Sequence, residues 1–548
     1  MPPFFKKTKK INNKTNEKQT KESGKQGNDR KTESLESSLS ANLDILKKRT
    51  GNSSDVAIRK LDIGQQPKTE VAFVFIEGII DSQTINSFLI EWVTKDQEPI
   101  KVSSSQGVLD YVAKEITALG NVKKVKNWDD LFSSLMAGES IVFIDGIDEA
   151  LSASTKGGDK RSIQEPSTQV SVRGPKDGFT ESLRTNTSLV RRRIQNPDVW
   201  VESMKIGKKT KTDVAIMYIN GLVKEGVVEE VRKRLKRIEM DGVLESGYIE
   251  QMIEDQTLTN FPTLYHTERP DVVAGNLLEG RVAIFVDGTP FVLVAPAVFV
   301  QFFQAVEDYY ARFDIATALR FLRILVFLIS ILAPAVYIAS TTFHQEMIPT
   351  ALLIVIASQR ESVPFPAFFE AVLMEITFEI LREAGVRMPR AVGSAISIVG
   401  ALVIGQAAVQ AGIVSPAMVI IVSITAIASF ATPAFAIAIS ARIIRFAFML
   451  SAAAFGFYGI TLGLIMLIVH LASLRSFGVP YLTPMAPFIP SNMGDTVIRM
   501  PWWSTKDRPR LINDKENVIR EGKENGPNPP STREMGANMN KKGDNNAE

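Results

Sequence analysis

The stretch AVGSAISIVGALVIGQAAVQAGIVSPAMVIIVSITAIASFATPAFAIAISA, from Ala391 to Ala441, contains no Asp, Glu, Lys or Arg. About twenty helical residues, at about 1.5 Å each, cross a hydrocarbon core of about 30 Å. The run is long enough for two membrane spans, and Gly412, Ser415 and Pro416 near its middle mark a tight turn between them. An integral membrane protein is therefore expected.

The first half of this run, Ala391 to Ala411, has two faces. Gly393, Ser397 and Gly400 form a helix-packing stripe that lets a neighbouring backbone come close. Ala395, Val399, Val403, Gln406 and Gln410 form a second stripe, apolar at one end and amide-bearing at the other. Around an axis shared by several copies, that stripe would make a narrow apolar gate opening into polar amides. Ordinary helix packing, with each Gln bonded to a neighbour, is the alternative.

Just upstream, Val363 to Glu383 carries Glu370, Glu375, Glu379 and Glu383 in an otherwise apolar segment. At about 100° per residue, Glu375, Glu379 and Glu383 fall on one helical stripe, with Glu370 about 140° from Glu375. Carboxylates near a bilayer must face water or a partner, so these four are candidates for an acidic vestibule that attracts cations. A helix lying in the interface is the competing reading. Arg382, Arg387 and Arg390 are spaced to pair with part of the stripe.

Further apolar segments surround this core. Ile324 to Phe343 follows Arg320 and Arg323 and carries Pro334, which predicts a kinked span running from inside to outside. Met347 to Ser358 is too short to cross unaided. Phe446 to Leu474 reads as the last span, and Phe291 to Val306 as a segment along the membrane surface. The number of full spans stays open.

Charge crowds the chain before Gly288 and after Leu474, so the net charge of +3 averages two unlike parts and gives no reason to expect nucleic acid. No cysteine is present and the three histidines lie far apart, so neither a metal site, nor thiol chemistry, nor a cofactor is expected. The N-terminus lacks the apolar core of a secretory signal, which places the large N-terminal part in the cytoplasm.

That N-terminal part contains a duplication. VAFVFIEG (Val71–Gly78) aligns with VAIMYING (Val214–Gly221), and IVFIDG (Ile141–Gly146) with AIFVDG (Ala283–Gly288), at nearly equal offsets. Each copy opens with a buried-strand pattern, continues with an amphipathic helix and closes on a strand ending in Asp-Gly. The expected organisation is a disordered basic tail (1–54), a first α/β subdomain (55–160), a connector (161–200) and a second α/β subdomain (201–290). An all-α polytopic transmembrane domain (291–474) and a mostly disordered C-terminal tail (475–548) complete it. In the connector, Arg191, Arg192 and Arg193 form either a solvated helix face or a site for an acidic partner. STKGGDKRS (Ser154–Ser162) lacks the glycine spacing of a phosphate loop, and Asp145, Asp148 and Glu149 are better explained by turn chemistry than by cation binding. No enzyme is expected.

Four blocks carry a resemblance: EPSTQVSVRGPKDGFTESLRTNTSLVRRRI (Glu165–Ile194), ERPDVVAGNLLEGRVAIFVDGTPFVL (Glu268–Leu293), GSAISIVGALVIGQAAVQAGIVSPAMV (Gly393–Val419) and SFGVPYLTPMAP (Ser476–Pro487). Together they resemble the A subunit of the GerA family of spore germination receptors, over residues of about 55 to 513. The resemblance implies a spore inner-membrane complex with a transporter-like B subunit that holds the nutrient and a lipoprotein C subunit. It also implies that the A subunits assemble as a pentamer into a nutrient-gated monovalent cation channel. A non-conducting scaffold that relays the signal is the alternative, and a secondary transporter a weaker one, since no inverted repeat is visible.

Overall fold

The computed structural model describes residues 33–63, 68–95, 105–157, 165–166, 168–169, 171–388, 403–505 and 507–513. The duplication is realised as two five-stranded antiparallel sheets. The first contains β1 (Val56–Ile63), β2 (Thr69–Ile76), β3 (Val122–Val125), β4 (Ser140–Ile144) and β5 (Ala150–Ala153), in the order β1-β2-β4-β5-β3. With it run helices α1 (Leu39–Arg49), α2 (Ser82–Lys95), α3 (Ser105–Ile116) and α4 (Trp128–Met136). The second repeats the order with β6 (Val199–Ile206), β7 (Thr212–Ile219), β8 (Tyr265–Thr267), β9 (Val282–Val286) and β10 (Val292–Ala295) as β6-β7-β9-β10-β8. Its helices are α5 (Leu183–Arg191), α6 (Glu225–Lys236), α7 (Ser246–Ile253) and α8 (Pro270–Leu278).

Both faces of each sheet are covered, which is why the central strands read as unbroken apolar runs. Along β2, Ala72, Val74 and Ile76 pack with α1 and α4, whereas Val71 and Phe73 pack with α2 and α3. The pleat sorts β7 in the same way: Val214, Ile216 and Tyr218 join α6 and α7, and Ala215, Met217 and Ile219 join α5 and α8.

The copies match down to single hydrogen bonds, and these move the expected boundaries. Asp145 Oδ1 accepts from the Leu39 amide at 3.1 Å, and Asp287 Oδ1 accepts from the Leu183 amide at 3.0 Å. The Asp of each Asp-Gly pair thus caps the first helix of its own unit. Residues 33–54, expected in the tail, are folded, with Leu39, Leu43 and Leu46 buried on α1. Likewise α5 is the first helix of the second unit rather than part of a connector. The second unit also extends past residue 290, since Val292–Ala295 is its strand β10 and Phe299–Phe303 a buried 3-10 turn beneath it. That segment is therefore no surface-lying membrane helix.

Arg191, Arg192 and Arg193 are used inside the chain. Arg191, 1% exposed, donates to Asp55 at 2.8 and 3.0 Å and so fastens α5 to the first unit. Arg192 reaches the Gly157 carbonyl at 2.7 Å and Arg193 pairs with Asp177.

Beyond the sheets, α9 (Glu307–Tyr310) leads into the 30-residue α10 (Phe313–Thr342), which contains Pro334. Then come α11 (Thr350–Arg360), α12 (Ala367–Arg387), α13 (described over 403–410), α14 (Pro416–Phe430) and the 39-residue α15 (Phe435–Ser473). The turn between α13 and α14 falls at Gly412, with Ser415 capping α14. Gly393, Ser397, Val399 and Gly400 lie outside the described residues.

α15 is a hairpin. Gly456 sits at φ 61°, ψ −140°, conformations closed to other residues. A side chain on Gly463 would come within 2.9 Å of the Phe448 ring. Ser440 bonds the Asn260 carbonyl and His470 bonds Thr259 at 2.9 Å. A straight helix would hold residues 440 and 470 about 45 Å apart, so neighbours in sequence could not touch both. The arms therefore return to the same end. The apolar run Phe446–Leu474, expected as one span, contains this reversal.

Tyr337, Ser415 and Glu370 meet at the end of the bundle far from the sheets, while Ser429 meets Arg382 towards the near end. α10, α12, α13, α14 and the two arms of α15 thus alternate in direction. Residues 475–513, expected as tail, fold back on the second unit, where Val223 bridges Asn513 and Ile512 is buried. Both ends of the helical region lie on the sheet side.

Candidate functional site in the helical bundle

α12 carries the four candidate carboxylates, and the structure separates them. Glu370 is fully buried at the far end, where its carboxylate accepts from the Ser415 amide at 3.0 Å and hydroxyl at 2.8 Å and faces Arg360 at 3.3 Å. One and a half turns on, Glu375 is also fully buried and pairs with Arg445 of α15 at 2.5 Å, while Arg445 donates to the Ser330 carbonyl of α10 at 2.6 Å. A carboxylate covered by its own chain does not face an aqueous mouth. Glu370 and Glu375 are therefore bundle locks, a correction to their placement in a vestibule.

Glu379 and Glu383 differ. Glu379, with 28% of its side chain exposed, is shared by Arg442 at 2.9 Å and Arg382 at 3.4 Å. Arg382 also donates to Ser429 at 2.7 Å and stacks on Phe430 at 4.9 Å. Glu383 is open to solvent and pairs with Arg387 at 2.6 Å. The i,i+3 and i,i+4 partners on α12 were legible in the sequence. Arg360, Arg442 and Arg445 were not, because they arrive from other helices.

On α13 the described part of the gate stripe, Val403, Gln406 and Gln410, is exposed. Val403 is 56% exposed, and Gln406 and Gln410 are exposed. Gly405, on the opposite side, is buried against Val419 of α14. The helix thus packs inward through a small residue and turns its Val/Gln face outward.

A second charged cluster anchors the root of α10. Asp308, fully buried, accepts from Arg320 at 3.0 Å and Arg323 at 2.8 Å, and Arg320 also reaches Asp495 at 2.8 Å. In the sequence Arg320 and Arg323 signal topology, and in the fold they are held by ion pairs. Their partner Asp495 lies too far along the chain for spacing to reveal it. Among the described residues no group of three His, Cys, Asp or Glu side chains could hold a metal ion.

Residues 44–511 match the family profile described as Bacillus/Clostridium GerA spore germination protein. The chain belongs to the GerA family. Spore germination protein KA of Bacillus subtilis (strain 168) is 62% identical to this GerA-family chain over 498 residues, 91% of each. Spore germination protein GerLA of Bacillus cereus is 40% identical over 89% of this chain and 98% of its own length. The solved N-terminal domain of the A subunit of the Bacillus megaterium spore germinant receptor GerK3 is 51% identical. It covers 50% of this chain and 99% of its own, with a TM-score of 0.40. The resemblance to GerA-family A subunits therefore stands. So does the fold class, two sheet-and-helix subdomains followed by a helical region with apolar helices, which associates it with a membrane.

Proposed function

We propose that this chain is the A subunit of a nutrient-responsive germination receptor and forms, in several copies, a monovalent cation channel in the spore inner membrane. B and C subunits complete the receptor, and a pentamer of A subunits surrounds the pore. The sheets lie on the cytoplasmic side, and the apolar segments of the helical region cross the bilayer.

The observation that supports this reading best is the outward Val403, Gln406 and Gln410 face on α13, uncharged and uncovered by its own chain. Turned to a common axis, it supplies an apolar constriction at Val403 followed by amides; Val399, four residues earlier in the sequence, is proposed to share that role. Glu379, partly exposed, and Glu383, open to solvent, serve the vestibule. A single apolar core runs from the second sheet through Phe302 and Phe303 into α10 and α15. That core would also suit a non-conducting relay; in a channel it carries the partner's ligand-induced preference to the gate.

Gate variants test the reading. Val399→Ala or Val403→Ala lowers the apolar barrier, so spores carrying either release potassium without nutrient. Retained nutrient dependence in both variants removes α13 from the gate.

A further inference from the structure

A cavity of about 410 Å³ lies outside the bundle, between α8, the segment 301–310 that leads into α10, and the C-terminal segment near Trp502. Its floor holds Arg281, which is 3% exposed. Nη2 of Arg281 lies 3.5 Å from Glu279, but Nε and Nη1 have no hydrogen-bond partner. Burial pushes this guanidinium below its ordinary range. Gln301, 6% exposed, donates to Asn276 at 3.0 Å and leaves Oε1 without a donor. Buried polar groups are rarely left unmet.

The repeat shows that the fold does not require this arginine. The equivalent position in the first unit is Glu139, whose carboxylate accepts from Ser152 at 2.7 Å and faces Lys156. The second unit has reversed the charge and left donors unused.

We propose that this cavity binds a small dissolved organic anion that also carries an O–H or N–H. The anionic group lies against the Arg281 guanidinium and the donor against the Gln301 amide, with Tyr265, Val306 and Trp502 flanking the apolar body. The volume falls within the range of about 300–1,000 Å³ typical of small-molecule sites. Because the walls come from the second sheet unit, the root of α10 and the C-terminal segment, an occupant ties the three together. The site is separate from the proposed pore and its occupancy does not depend on conduction.

Equilibrium dialysis of the full-length chain in detergent, with 4-hydroxybenzoate as probe, tests this. Saturable binding of one probe per chain is expected, at least tenfold tighter than that of neutral 4-hydroxybenzamide. Arg281→Gln should weaken it tenfold or more, and Gln301→Leu should weaken 4-hydroxybenzoate more than benzoate. Arg312→Gln, an exposed charge elsewhere, should leave it unchanged. Equal binding of acid and amide overturns the proposal. So does wild-type binding in Gln301→Leu, which keeps the test decisive if Arg281→Gln fails to fold. Displacement of the probe by dihexanoyl phosphatidylglycerol assigns the cavity to a lipid headgroup instead.

Discussion

Glu375 and Arg445, both buried, show what an ionic pair does inside this bundle. Its desolvation nearly cancels its attraction, so the pair adds little net stability while it is intact. Removing one member is another matter. Glu375→Gln leaves Arg445 charged and unmatched, and a loss of about 3–5 kcal/mol is expected. Replacing both by Met should restore most of it. The exposed Glu383–Arg387 pair should change by no more than about 0.5 kcal/mol on Glu383→Gln. Thermal inactivation midpoints of the detergent-purified variants check this order; equal losses at Glu375 and Glu383 would contradict it. Spacing along α12 revealed the acids, and only the fold revealed that Glu370, Glu375 and Glu379 face arginines of other helices while Glu383 is open to solvent.

The hairpin at Gly456 was hidden for a physical reason. In water a reversal is marked by polar turn residues, but in an apolar bundle it needs only a backbone that tolerates φ 61°. Gly456→Ala should cost about 1–3 kcal/mol from backbone strain, and more because a Cβ would press on the His344 ring at 2.7 Å. Gly226→Ala on α6, with open space around it, is the control. Membrane-extracted yield and inactivation temperature should fall for the first and hold for the second. The strands VAFVFIEG and VAIMYING were legible because both faces are buried. α1 and α5 were not: α1 follows a lysine-rich stretch, and α5 buries Asn186, Thr187, Ser188 and Arg191, which carry no apolar period. Strand β10 was lost in the apolar run that continues to Val306.

In the whole molecule the two units, alike in topology, do different work. The α1/α4 face of the first sheet closes its own core, whereas the α5/α8 face of the second shares one core with the helical bundle. Arg191 and Asp55 link the first unit to the second, and Asp308 with Arg320, Arg323 and Asp495 links the second to the root of α10 and the returning C-terminal segment. A shift imposed on the sheets by a partner thus reaches the bundle through packed side chains rather than a loose linker. In the proposed assembly this bundle, in several copies, conducts small cations. Potassium efflux from liposomes holding this chain with the proposed B and C subunits measures that directly. Efflux that rises on addition of nutrient and persists without it in Val403→Ala is the predicted result. Liposomes holding the assembled complex that stay tight to potassium with nutrient present would contradict it.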